Sequence, residues 1–116
     1  MSKKLYLINW NAKEAEQAAK AIRATGWEVS GIESKDGGKA YKAIKGNPPD
    51  AVLIYLTRNP AHGWETAKAL RETAATRNIP ILFVGGMGKL TAEMKLEMPD
   101  AIFTFPESLA VKLSQL

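Results

Sequence analysis

The chain contains no cysteine, which excludes disulfides, thiolate nucleophiles and cysteine-based metal sites. It has a single histidine, His62, so any zinc site would have to be completed by carboxylates, a poor donor set for that metal. Long apolar runs are missing too. Leu5-Tyr6-Leu7-Ile8, behind Met1-Ser2-Lys3-Lys4, is far too short for a signal peptide or a membrane span, and a cytoplasmic location is expected. Nor is there a block of like charge. Sixteen basic and twelve acidic residues leave a formal charge of +4, but the basic residues alternate with acids and alanines. The interleaving of basic and aromatic residues used to grip single strands does not occur, which argues against nucleic acid as a partner.

What is present is the balance of an ordinary globular protein, 46% hydrophobic and 24% charged. A chain of 116 residues is long enough to bury a core as one domain over residues 1–116. Its apolar residues fall into short runs separated by helical patterns. Lys4 to Asn9 reads as a strand buried on both faces. Asn11 follows as a helix N-cap with Glu14 in the capping-box position, and Ala15, Ala18, Ala19 and Ile22 form one apolar stripe that ends at Gly26. Trp27 to Ile32 alternates apolar and polar residues, as a strand near a sheet edge does. Asp36-Gly37-Gly38 opens a helix carrying Ala40, Ala43 and Ile44, closed by Gly46. Asn47-Pro48-Pro49-Asp50 then delivers the chain into a central strand, Ala51 to Leu56.

A loop and a helix opening at Gly63 come next, with Trp64, Ala67, Leu70 and Ala74 on one side and Arg77-Asn78 at the end. Ile79 to Val84 is another continuous strand, followed by a glycine loop and a short helix, Leu90 to Glu97. Ala101 to Phe105 and a last helix, Glu107 to Gln115, complete five strand–helix pairs. Parallel strands need crossover helices, so the pattern predicts a doubly wound α/β fold with a five-stranded parallel sheet in the order 2-1-3-4-5.

The order and spacing of Leu5 to Ile8, Gly26-Trp27-Glu28-Val29, Asp36-Gly37, Pro49-Asp50 through Gly63, Ile79-Pro80-Ile81 and Phe105-Pro106 resemble a response-regulator receiver domain over nearly the whole chain. The resemblance implies a two-component signalling module that holds magnesium with two acids after the first strand and an aspartate ending the third. That aspartate takes a phosphoryl group, and a hydroxyl residue after the fourth strand and a lysine before a proline after the fifth bind it. In this sequence the acid pair falls on Asn9 and Trp10, the phosphoacceptor on Tyr55, the hydroxyl on Gly85 and the lysine on Phe105. The aromatic residue that rotates on activation falls on Ile102. Hard-oxygen ligands and phosphate-binding cations are therefore replaced throughout. A shift of one residue, to Asn11, Ile54, Leu56 or Thr104, does not restore the set. The expectation is a non-enzymatic pseudo-receiver without cofactor or metal, acting through protein partners or self-association.

The replacements are largely aromatic. Trp10, Tyr55 and Phe105, with Asn9, are expected to converge at the carboxyl ends of adjacent strands, near Trp64. They either plug a vacated acidic pocket or line a crevice for a small molecule or a peptide side chain. His62, in a loop at the same end, and Arg58, a candidate anion contact, are the other possible ligand contacts. Gly85-Gly86-Met87-Gly88-Lys89 lacks a phosphate-loop pattern, since Leu90 stands where a Ser or Thr is needed and Phe83 where a glycine is needed. The resemblance also implies a docking face presenting Lys89, Met94, Lys95, Glu97, Met98, Ile102 and Lys112, with Met94 and Met98 alternatively in the core. A cis bond is expected before Pro106. Weak nucleic-acid binding is the third functional reading, after protein contact and ligand binding.

Overall fold

The continuous apolar runs conceal a period of two. In the computed structural model, which describes residues 3–116, Leu5 and Leu7 join one hydrophobic cluster and Tyr6 and Ile8 the other. Ala51 and Leu53 part from Val52 and Ile54 in the same way, and Leu82 and Val84 from Ile81 and Phe83. One strand thereby feeds two cores, as a sheet covered on both faces requires.

The elements are β1 (Lys4–Ile8), α1 (Ala12–Arg23), β2 (Glu28–Glu33), α2 (Gly37–Gly46), β3 (Ala51–Tyr55), α3 (Pro60–Glu72), β4 (Ile81–Val84), α4 (Lys89–Glu97), β5 (Ile102–Thr104) and α5 (Leu109–Ser114), the last preceded by a 3₁₀ turn at Pro106–Ser108. All strand pairs are parallel, in the order β2-β1-β3-β4-β5. This is the doubly wound, flavodoxin-like topology expected from the sequence. Helices α2, α3 and α4 cover one face through Ala40, Ile44, Trp64, Ala67, Leu70, Met94 and Met98. Helices α1 and α5 cover the other through Ala15, Ala19, Ile22, Leu109 and Leu113.

The alternating strand β2 does lie at the edge. Its register against β1 jumps between Val29 and Gly31, a bulge that leaves Ser30 over, and the Ser30 hydroxyl donates to the Leu5 carbonyl. Gly31 is required there, because a Cβ would lie 2.5 Å from the Tyr6 ring. Gly37 has a similar role where α2 meets α3: a Cβ would stand 2.5 Å from Thr66 Oγ1.

Several boundaries differ from the sequence reading. Helix α1 stops at Arg23 with Ala24 as its cap, and Gly26, at φ +98°, turns the chain two residues later. Ala43 is exposed, because the buried stripe of α2 runs through Gly37, Ala40 and Ile44. Helix α3 begins at Pro60, not Gly63. Asn59 caps it by accepting from the His62 N–H, and Pro60 fills the first turn, where its missing donor costs nothing. His62 is accordingly helical. The helix ends at Glu72, so Ala74 lies beyond it, exposed. The turn that follows is fixed by Thr76 Oγ1 donating to the Leu70 carbonyl, 2.6 Å, and by Arg71 donating to the Ile79 carbonyl, 2.7 Å. That turn delays β4 to Ile81.

All peptide bonds among the described residues are trans, including Phe105–Pro106. Phe105 is extended (φ −123°, ψ 162°), the conformation favoured before proline, and Pro106 takes the first position of the 3₁₀ turn. With the Phe105 side chain left at the surface, 44% exposed, the trans bond needs no inward turn.

Candidate functional site

The carboxyl ends of β1 and β3 lie side by side, and the chain leaving each is tied to the other by a polar relay. Asn9 is buried, 2% exposed, and its Oδ1 accepts from the Asn11 N–H at 3.1 Å. Asn11 Oδ1 in turn accepts from the Glu14 N–H at 2.9 Å. The N-cap expected at Asn11 is present, but the box is completed differently. Asn9 takes the N–H that the Glu14 carboxylate would otherwise accept. Glu14 is free to receive two hydrogen bonds from Arg58, from Nη2 at 2.9 Å and Nε at 3.2 Å. The hydrogen bond and charge of Arg58 hold the Glu14 carboxyl below its ordinary pKa, and the Arg58 guanidinium is correspondingly raised. The anion contact considered for Arg58 is thus filled from within the chain.

The aromatic residues do not share a crevice, and the period of two explains why. Tyr55 continues the series 51, 53, 55 and packs with the α1–α5 cluster. Trp10 continues 6, 8, 10 and packs with the α2–α4 cluster. There it meets His62 edge-on, ring centroids 4.5 Å apart at 78°. The Trp10 Nε1 and His62 Nε2 atoms are both buried without a hydrogen-bond partner. Trp64 packs against Phe83, and Phe83 stacks on Phe103, in the same core. Phe105 is at the surface. Gly85, at φ +81°, continues the ladder by donating its N–H to the Thr104 carbonyl at 3.0 Å.

Tyr55 and Asn9 instead open onto a cavity of about 420 Å³ between α1 and α5, walled by Ala18, Ile22, Leu109 and Leu113 and rimmed by Glu14 and Thr57. Burial first, and the negative charge of Glu14 second, push the Tyr55 hydroxyl above its usual pKa. Its hydroxyl has no hydrogen-bond partner among the described residues. No three His, Asp or Glu side chains gather as a metal-binding group among those residues.

The residues expected on a docking face divide. Met94 and Met98 are buried under α4, with Thr91, and are core rather than surface. Ile102 is half-buried against the α1–α5 cluster. Lys112 is half-buried on α5, whereas Lys89, Lys95 and Glu97 are exposed, with Lys95 over the Phe103 ring at 5.4 Å. The large apolar side chains actually presented to solvent are Met87, Leu96 and Val111 with Phe105. Leu96 was not legible as the exposed apolar residue of α4 beside Met94 and Met98, although the i, i+4 spacing of the two methionines is the sign that they face inward together. Sequence reasoning also missed the relay through Asn9, whose signal was a polar residue closing an otherwise apolar run.

No family model matches the sequence, and no curated protein matches it. Solved structures do resemble the fold. The chemotaxis protein CheY4 of Vibrio cholerae superposes with a TM-score of 0.81 at 16% identity, over 99% of this chain and 98% of that one. A CheY-like response-regulator receiver domain from Methylobacillus flagellatus gives 0.76 at 20% identity, over 99% and 98%. A two-component response regulator of the LuxR family from Aurantimonas sp. gives 0.77 at 22% identity, over 99% and 81%. The chain therefore has the fold of a response-regulator receiver. Among its described residues, no helix is long and apolar enough to cross a membrane.

Proposed function

We propose that this chain is a degenerate receiver: a cytoplasmic signalling module that works through protein contacts, without magnesium-dependent phosphorylation of an aspartate. The observation that carries the reading is the set of side chains at the ends of β1 and β3. Where receivers resembling it place two acids and a phosphoacceptor, this chain has Asn9, Trp10 and Tyr55. Trp10 and Tyr55 pack to opposite faces of the sheet. The nearest acid on α1, Glu14, is engaged by Arg58. A divalent cation needs several hard oxygens converging on one point, and the packing separates the groups that would have to supply them.

The contact surface in this reading includes the outer side of α4, where Leu96 stands opposite Thr91 and Met94 and is 83% exposed, beside Lys95. An apolar side chain among lysines and glutamates suits a partner that covers it with its own apolar residue. Incubation with magnesium and acetyl phosphate, followed by intact-mass measurement, tests the first part of the proposal. The expected result is an unchanged mass beside an active receiver that gains a phosphoryl group. A phosphoryl adduct on any side chain of this chain would overturn it.

A further inference from the structure

The cavity between α1 and α5 has mostly aliphatic walls and carries its own polar groups. At about 420 Å³ it falls within the range of small-molecule sites, roughly 300–1,000 Å³. Its walls are aliphatic and its width comes from small residues, Ala18 and Ala21 on α1 facing Ala110 on α5. Its inner end is polar. The Asn9 side chain is 2% exposed; its oxygen is used by the Asn11 N–H, while its Nδ2 donors meet no acceptor among the described residues. The Tyr55 hydroxyl, on the neighbouring strand, is likewise without a partner. Neither donor is sealed in the core; both border the cavity, where a ligand acceptor could pair with them. Glu14 at the rim carries a negative charge already compensated by Arg58. With that pair closed on itself, neither a cationic nor an anionic head finds a free counter-charge at the rim.

We propose that this cavity binds a neutral amphiphile, with an aliphatic chain lying between Ala18, Ile22, Leu109 and Leu113 and an uncharged carbonyl or hydroxyl head accepting from Asn9 Nδ2 and Tyr55. The site shares Asn9 and Tyr55 with the signalling reading but does not rest on it, since it lies on the face opposite α4 and needs no phosphoryl chemistry.

The test is a titration of the ¹⁵N-labelled protein with octanamide, with octanoate and octylammonium as charged counterparts. Saturable shifts are expected at Ala18, Ile22, Leu109, Leu113 and the Asn9 side-chain amide, with octanamide binding more tightly than either charged probe. Asn9→Asp keeps the oxygen used by Asn11 and removes the donor; it is expected to weaken octanamide about tenfold, one charge-free hydrogen bond's worth. Ala18→Phe is expected to abolish binding by filling the cavity, and Ala21→Phe on the more exposed edge of α1 serves the same purpose should that variant not fold. Absence of saturable shifts in the unaltered protein would overturn the proposal. So would shifts scattered over the surface, undiminished binding in a folded filling variant, or preference for a charged probe.

Discussion

The two faces of the sheet are built from alternate residues of the same strands, yet they are finished differently. The α2–α4 face is closed with large rings and flexible sulfur chains: Trp64, Phe83 and Phe103, then Met94 and Met98, with Trp10 sealing the end over His62. The α1–α5 face is closed with Ala15, Ala18 and Ala19 and a six-residue α5, and it keeps a cavity. At the carboxyl ends of the strands, where a receiver gathers its acids, the same alternation sends Trp10 to the filled face and Tyr55 to the hollow one. The aromatic residues at these positions do not form a single plug: Trp10 packs against His62 in one core, and Tyr55 borders the α1–α5 cavity.

Substitutions separate the two faces by size of effect. The largest loss is expected from Phe83→Ala, fully buried between Trp64 and Phe103: about 3–5 kcal/mol, read as a shift in the denaturant midpoint. Next comes a pair. Gly37→Ala should cost about 1–3 kcal/mol, because its methyl would stand 2.5 Å from the buried Thr66 Oγ1 across the α2–α3 contact. Ala18→Leu, adding more volume on the α1–α5 face, should change stability by less than about 1 kcal/mol, since the cavity receives it. Equal costs for the pair would break the comparison.

The smallest difference lies in pH dependence. Tyr6, on the filled face, and Tyr55, on the hollow one, both have hydroxyl pKa values raised by burial and then by a neighbouring carboxylate, Glu33 and Glu14 respectively. A raised folded-state value means that the native state holds the proton more tightly. The stabilisation is complete below the unfolded value of about 10 and is lost as pH rises through the folded values. Stability should fall in the alkaline range, and Tyr55→Phe should remove part of that slope. An unchanged slope would show that Tyr55 ionises as freely in the folded chain as in the unfolded one.

Much of the fold was legible because short-range chemistry and burial agree in it. Apolar runs four to six residues long, capped by Asn11, Asp36 and Gly-Asn-Pro-Pro punctuation, fix five strand–helix units, and the alternation in β2 marks the edge. The start of α3 was misplaced although Asn59-Pro60 carries the cap and first-turn signals; the glycine at 63 looked like a boundary, but it is a point of close approach, its absent Cβ lying 2.8 Å from Ile54 Cγ2. The site was legible only as a list of substitutions. Which way Trp10 turns depends on the parity of β1 carried past its end, while Tyr55 follows the parity of β3 at its last residue. The cavity depends on small residues from α1 and α5 meeting across space, which no local pattern announces.

The central claim, that the strand ends do not bind magnesium and a phosphoryl group, is tested most directly by the fluorescence of Trp10, which follows β1 and packs against His62. Magnesium is titrated into the folded protein with and without beryllofluoride. The account predicts no saturable change in either series. A saturable change that requires magnesium and beryllofluoride together would contradict it, because oxygens at the ends of β1 and β3 would then still be assembling around a metal and a phosphoryl mimic.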